Sequence, residues 1–481
     1  MNLRTVAFHS ALLLFIVAVL HLGPALIGVY DGQWQSVWAY LGSGALAALG
    51  AFVLRRLAGE VPTTLHRKDA IGVVVLSWFC AGVFGGIPFL LEGSIPDPAD
   101  AFFESVSGFT TTGATVVPDV DGLSRATNFW RCLMHWVGGM GIVVLFIAVF
   151  PQLGVGAKHL FRTEVPGPIT ESLRPRIKQT ALALWWIYAV LTAVLAVSLW
   201  VAGLPVYDAV CHAFSTLGTG GFSSRGLSVG AYENPAVEWI ICGFMLLAGL
   251  NFGLYYGALR GQVLALFRNY EVRFYVLVNL VVIFVVFLGI RERHDTLHAA
   301  LRAASFQTLA VTTTTGFMTE DFDSYPEIAR FLLFLCMFMG GCAGSTAGGI
   351  KASRIYALAL LGVRELRAVI QPQAVIAVRV GSAALHSSII HGVLIYLAAY
   401  MLLFAGCSAA MVAFGLPPMS AMSAVVACLS SVGPGLDQVG PLQNFGFIPG
   451  AGKVLLSVCM IAGRLEIFAL FAILDPECWR R

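Results

Sequence analysis

The chain has 481 residues, of which 58% are hydrophobic and only 11% charged, and its formal net charge is +3. A soluble domain carries about 25% charged residues, so a soluble fold is excluded and no nucleic-acid partner is expected. Apolar runs of roughly 20 residues, the length that crosses a bilayer core, recur throughout and make this an all-α polytopic membrane protein.

From the N-terminus the predicted spans are Val6–Tyr30, Ser36–Leu57, Ala70–Leu91, Ala126–Phe150, Ala181–Gly203, Val237–Leu259, Phe274–Ile290, Ile328–Leu360 (interrupted), Ser388–Phe414 and Lys453–Leu474. The first is too long for a signal-peptide core and ends without a small-residue cleavage site, so it is read as a retained span. The cysteines fall mostly inside spans without CxxC spacing, which argues against a disulfide framework or a zinc site.

Four segments between spans are too short and too polar to cross: Asp97–Val117, Pro205–Ser224, Leu297–Thr319 and Pro417–Leu436. Each begins with a helix-compatible lead-in, continues through small or hydroxyl residues and reaches a glycine. The endings read Thr110-Thr-Thr-Gly113, Leu217-Gly-Thr-Gly220, Thr313-Thr-Thr-Gly316 and Ser430-Ser-Val-Gly433. One such loop is a turn; four, recurring about every hundred residues, are a fold-level signal. The chain is therefore read as four pseudo-fourfold span–pore-helix–span repeats around one central ion pore, at residues 70–178, 179–271, 272–384 and 385–481. Residues 1–69 form an N-terminal two-helix pair.

A bare monovalent cation must regain the oxygens of its hydration shell, and carbonyls from four loops can supply them as rings. The predicted filter ring is Gly113, Gly220, Gly316 and Gly433. Thr111, Thr112, Gly218, Thr219, Thr314, Thr315, Ser431 and Val432 form the layers beneath. No loop carries a full Thr-Val-Gly-Tyr-Gly, so looser selectivity is expected. Asp97, Asp100, Glu104, Asp119, Asp121, Asp208, Glu320, Asp321, Asp323 and Asp437 lie in or beside the inserts. An acidic mouth concentrates cations, although each acid by itself reads as a solvated or helix-capping charge.

Two features lie below the filter. Met339-Gly-Gly-Cys-Ala-Gly-Ser-Thr-Ala-Gly-Gly-Ile-Lys351 breaks the final span of the third repeat. It is not a nucleotide-binding P-loop, because Ile350 separates Gly349 from Lys351 and a membrane helix precedes it. Tight helix packing is one reading of its small residues; unwinding into a flexible loop that obstructs the pore is the favoured one. Arg464, in the last span, costs roughly 2.5–3.5 kcal/mol unless it faces water or a partner. A straight helix places it ~15 Å from Leu474, where it acts either as an electrostatic barrier or as half of a structural salt bridge. Glu466 projects from another face.

Basic residues such as Arg55, Arg56, Arg67, Lys68, Lys158, Arg162, Arg268, Arg273, Arg364 and Arg481 collect on the face opposite the inserts. The positive-inside bias makes that face cytoplasmic, together with both termini.

These motifs, with His135-Trp-Val-Gly-Gly-Met-Gly-Ile142, Phe161-Arg-Thr-Glu-Val-Pro-Gly-Pro168, Gly344-Ser-Thr-Ala-Gly-Gly-Ile-Lys351 and Gly463-Arg-Leu-Glu-Ile-Phe468, resemble the Trk/Ktr/HKT superfamily over essentially the whole chain. Within it the bacterial TrkH potassium-uptake subunits are most similar. The resemblance implies potassium as substrate, held at the filter, and a homodimer in the bacterial inner membrane. It also implies a cytosolic regulatory ring, TrkA, carrying any nucleotide or NAD, so that this chain holds no cofactor of its own. A serine at the first filter position goes with sodium transport in plant relatives; Gly113 here favours potassium. The family's gate maps onto Gly340, Gly341, Gly344, Ser345, Thr346, Gly348, Gly349 and Lys351, and its pore arginine onto Arg464. Pro434 after the fourth filter glycine stiffens that loop.

Two other classes compete. Broken helices and repeats also mark proton- or sodium-coupled secondary transporters, but every insert here falls on one face, whereas inverted repeats alternate. An enzyme is disfavoured because His135, His212, His294 and His391 form no ligand-spaced cluster and no nucleophile–base set occurs.

Overall fold

The computed structural model describes residues 1–59, 66–148, 173–372, 379–380, 383–384 and 387–479. Lys158, Arg162, Arg481 and the 161–168 motif lie outside the described residues. The helices are α1 Leu3–Leu20, α2 Leu22–Tyr30, α3 Trp34–Ala58, α4 Arg67–Glu92, α5 Pro98–Phe109, α6 Arg125–Ala148, α7 Leu173–Val201, α8 Val206–Gly218, α9 Pro235–Ala248 and α10 Phe252–Leu259. They continue as α11 Val263–Arg268, α12 Tyr270–Ile290, α13 Leu297–Thr312, α14 Glu327–Cys336, α15 Ala352–Ile370, α16 Ser387–Ala413, α17 Pro418–Leu429, α18 Gly450–Arg464, α19 Phe468–Leu474 and α20 Pro476–Trp479. Two two-residue strands, Arg379–Val380 and Ala383–Ala384, pair antiparallel. The fold is the all-helical membrane architecture expected, with α1 and α3 packed against α4, and α2 against α3 and α6.

Among the described residues six helices are long and apolar enough to cross a bilayer, and two bent pairs add up to two more spans. Leu3–Tyr30 is interrupted at His21, where Pro24 offers no amide to continue the helical bonding. Two spans expected to be straight are not. Val237–Leu259 turns by 92° between α9 and α10, where the Asn251 side chain starts a new helix by accepting the Gly253 N–H at 2.7 Å. Lys453–Leu474 turns by 114° immediately after Arg464, through Glu466 and Ile467 at φ 55° and 62°. The helical rise from Leu474 therefore does not locate Arg464. It ends α18, where the negative pole of the helix favours a cation. The third-repeat span is interrupted as expected, between Cys336 and Ala352.

The termini are neighbours. The Met1 ammonium donates to the Cys478 carbonyl (3.0 Å), the Asn2 N–H to Asp69 (2.6 Å) and Lys68 to the Glu477 carbonyl (2.7 Å).

Candidate ion filter and gate

The four inserts are short helices followed by extended loops. The carboxylate of Asp97 opens α5 by accepting the Ala99 and Asp100 N–H groups at 2.8 and 3.1 Å, with Pro98 in the first turn. Thr296 caps α13 through the Ala299 N–H (3.1 Å), while α8 and α17 start after Pro205 and Pro417.

All four helices end in the same turn. The N–H groups of Thr112, Gly220, Thr315 and Val432 donate to the carbonyls of Ser107, Ser215, Ala310 and Ala427 at 2.8–2.9 Å. The residue before each, Thr111, Thr219, Thr314 or Ser431, is left-handed, with φ between 53° and 58°. That conformation costs a non-glycine residue roughly 1–2 kcal/mol, and it persists only where the surroundings enforce it.

This shared turn sets the register, and it corrects the second loop. The residues following it, Gly113, Gly221, Gly316 and Gly433, have φ of 82°, 79°, 74° and 99°. Gly221, not Gly220, is the counterpart of the other three; Gly220 sits in the layer of Thr112, Thr315 and Val432, and Gly218 one step behind Thr219. Gly-Thr-Gly-Gly offers two adjacent glycines, and only backbone conformation distinguishes them. Aligning the left-handed hydroxyl residues rather than the glycines gives the right register.

The loops close into a ring. A side-chain carbon on Gly113 would collide with the Gly220 carbonyl, one on Gly221 with Thr315, and one on Gly316 with Val432; on Gly433 it would lie 2.6 Å from the Thr112 oxygen. Each loop thus presses its backbone on the next, and the fourth on the first. Four helix C-termini, each with the partial negative charge of its dipole, end at this ring. The geometry suits a cation and repels an anion.

Behind the ring, one residue of each short helix braces the returning strand. Glu104 accepts from the Val116 N–H (2.9 Å) and Thr115 Oγ (2.9 Å), and His212 Nε2 pairs with Ser223 Oγ (3.0 Å). Gln307 donates to Thr319 Oγ (3.1 Å), and Ser423 Oγ accepts the Leu436 N–H (3.1 Å). Glu104 is therefore not a mouth residue: it is fully buried and ion-paired with Arg131 of α6 at 2.8 Å. Arg131 also donates to Asn128 and lies over the Phe222 ring at 4.1 Å, joining the first two loops. Its place as a charge inside an apolar span is the sequence signal for this role. Replacing Arg131 with alanine strands a buried carboxylate, an effect of about 3–5 kcal/mol. We expect a matching loss of thermal stability in detergent, with Glu104→Gln milder.

Other acids assigned to the mouth also have partners. Lys453 pairs with Asp100, and Arg225 with Asp208 (3.3 Å) and Asp121 (4.0 Å). Asp323 binds Arg330 (2.8 Å) and the Asp437 N–H (3.1 Å). Asp97, Asp119 and Asp321 accept local N–H groups, and Glu320 accepts from Tyr325 (3.0 Å). Several of these bonds join neighbouring repeats, so the acids hold the outer rim together as well as giving it negative charge.

Below the ring, the segment between α14 and α15 is a compact, buried loop rather than a loose one. Its neck is closed by the Gly340 N–H to the Ile350 carbonyl (2.9 Å) and the Ile350 N–H to Phe338 (3.0 Å). One flank is tied to the α9–α10 corner: Cys342 N–H to Gly249 (2.8 Å), Phe252 N–H to Gly344 (3.1 Å) and Thr346 Oγ to Ala248 (3.2 Å). Ser345 Oγ bonds within the loop to Cys342. The other flank meets the filter, where the Gly348 N–H donates to Thr314 Oγ at 2.7 Å and a side chain on Gly348 would strike the Ser430 carbonyl. Gly349, like Gly344, has positive φ, and Lys351 Nζ donates to Ala347.

Arg464 is buried and donates to the carbonyls of Thr346 (2.7 Å) and Gly138 (3.0 Å). It makes no salt bridge among the described residues; its partners there are backbone carbonyls. Glu466, two residues on, pairs instead with Arg354 at the start of α15, and Arg354 lies over Tyr396 at 4.1 Å. One guanidinium thus joins the last span, the loop and α6 beneath the ring.

The TrkH family of cation transport proteins matches residues 51–476. The Trk system potassium uptake protein TrkH of Halomonas elongata is 39% identical, over 100% of both chains. Its Escherichia coli K12 namesake is 40% identical over 86% of this chain and 87% of its own. The chain belongs to the TrkH family. The crystal structure of the potassium transporter TrkH from Vibrio parahaemolyticus superposes with a TM-score of 0.92 at 36% identity, covering 100% of both chains. TrkH-family membership makes this a membrane transport protein and not an enzyme.

Proposed function

We propose that the protein takes up potassium across the bacterial inner membrane through a channel-like pore. The observation that carries the reading is the closed ring of Gly113, Gly221, Gly316 and Gly433, each backbone packed on the next loop's carbonyls. Rings of carbonyls replace a hydration shell, and the relatives' names supply potassium as the ion. Thr111, Thr112, Thr219, Gly220, Thr314, Thr315, Ser431 and Val432 form the layers beneath, in the corrected register.

The 340–351 loop and Arg464 are the gate. The loop occupies the space below the third and fourth filter loops, and Arg464 adds a positive charge to it. The basic face lies in the cytoplasm with both termini, which the structure holds side by side. There a homodimer of this chain meets a nucleotide-binding TrkA ring, and the repeats divide at residues 70, 179, 272 and 385.

Purified protein in liposomes tests the reading. We expect potassium-driven flux, competed more weakly by sodium, and unitary current steps in planar bilayers. Flux that strictly requires a proton or sodium gradient, without current steps, would instead establish a coupled transporter.

A further inference from the structure

The gate loop has a second anchor outside the pore. Glu271, in the first turn of α12, is buried, and its Oε1 accepts the Ala343 N–H at 2.7 Å and the Ser353 N–H at 3.0 Å. Those amides lie on opposite sides of the loop neck, one within the glycine-rich segment and the other in the first turn of α15. We propose that Glu271 is the positioning residue of the gate, a carboxylate clasp that holds the loop against the filter. The inference rests on reading the 340–351 loop as the gate.

The chemistry fits a clasp that can be released. A carboxylate bonded to two N–H groups is strong in the dry interior, yet a small displacement of α12 breaks both bonds together because one oxygen serves both. Glu271 is also placed to feel movement at the basic face. Its own N–H is capped by Asn269 (2.9 Å), which follows α11, and Arg273 Nε donates to the Phe267 carbonyl of α11 at 2.7 Å. A shift of α11 therefore carries Glu271 with it. Arg464 holds the loop at the Thr346 carbonyl and Glu271 holds it at the Ala343 N–H, so opening requires both to yield.

The loop contains its own reporter, Cys342, which is fully buried beside Ala343, while Cys428 is fully buried in α17. The test is N-ethylmaleimide labelling of the full-length protein in liposomes, quantified for each cysteine, alongside rubidium flux. Glu271→Ala is expected to raise Cys342 labelling and basal flux at least tenfold with Cys428 unchanged. Glu271→Gln, which keeps an acceptor oxygen without the charge, should fall between. Unchanged Cys342 labelling, or equal rises at Cys342 and Cys428, would overturn the clasp, the latter by showing that Glu271 supports the whole fold. If Arg464→Ala leaves flux unchanged, the gate reading fails, while labelling still decides whether Glu271 holds the loop.

Discussion

Arg464→Ala raises basal potassium flux by one to two orders of magnitude in the absence of any regulatory partner. At an effective dielectric of about 20, a unit charge about 5 Å from the ion path repels a potassium ion by about 3 kcal/mol. Tenfold in rate corresponds to about 1.4 kcal/mol. The variant also frees the Thr346 and Gly138 carbonyls that Arg464 now occupies, which loosens the loop. Stranding those carbonyls costs roughly 1–3 kcal/mol each, so flux is compared only in protein that remains monodisperse on size exclusion. Arg464→Lys separates charge from geometry: lysine keeps the charge but not the two-pronged fork, and flux should rise only modestly. A fall in flux with Arg464→Ala, in folded protein, would show that the arginine is not the barrier.

Gly113→Ser lowers the preference for potassium over sodium by about tenfold, measured by sodium competition of rubidium uptake. The new side chain meets the Gly220 carbonyl and must adopt φ near 82°. Left-handed strain of roughly 1–2 kcal/mol that displaces a ring carbonyl is worth about tenfold in ion discrimination. Unchanged selectivity would remove Gly113 from the filter. The second loop offers a sharper comparison. A side chain on Gly221 collides with the Thr315 and Gly316 backbone, whereas the atoms nearest to one on Gly220 belong to the His135 ring. His135→Ala should therefore rescue Gly220→Ala and leave Gly221→Ala impaired. Rescue of both would return the ring position to Gly220.

What the sequence by itself determined is the membrane class, the four inserts, the broken third-repeat span and an unusual arginine near the end. Those follow from local chemistry: apolar runs long enough to span, hydroxyl–glycine endings that no helix interior favours, and a charge whose burial needs a reason. Tertiary structure alone decided which of Gly220 and Gly221 faces the ring, because φ there is imposed by the next loop's backbone rather than by residue type. It also decided that two spans break. The bend after Arg464 places left-handed Glu466 and Ile467 in an apolar stretch with no glycine or proline between them, and Glu466 finds Arg354 112 residues away in sequence. Charge pairing was illegible for the same reason. Glu104 with Arg131, and Glu271 with the loop amides, are bonds between segments far apart in the chain, and a sequence shows that a charge is present but not what it meets.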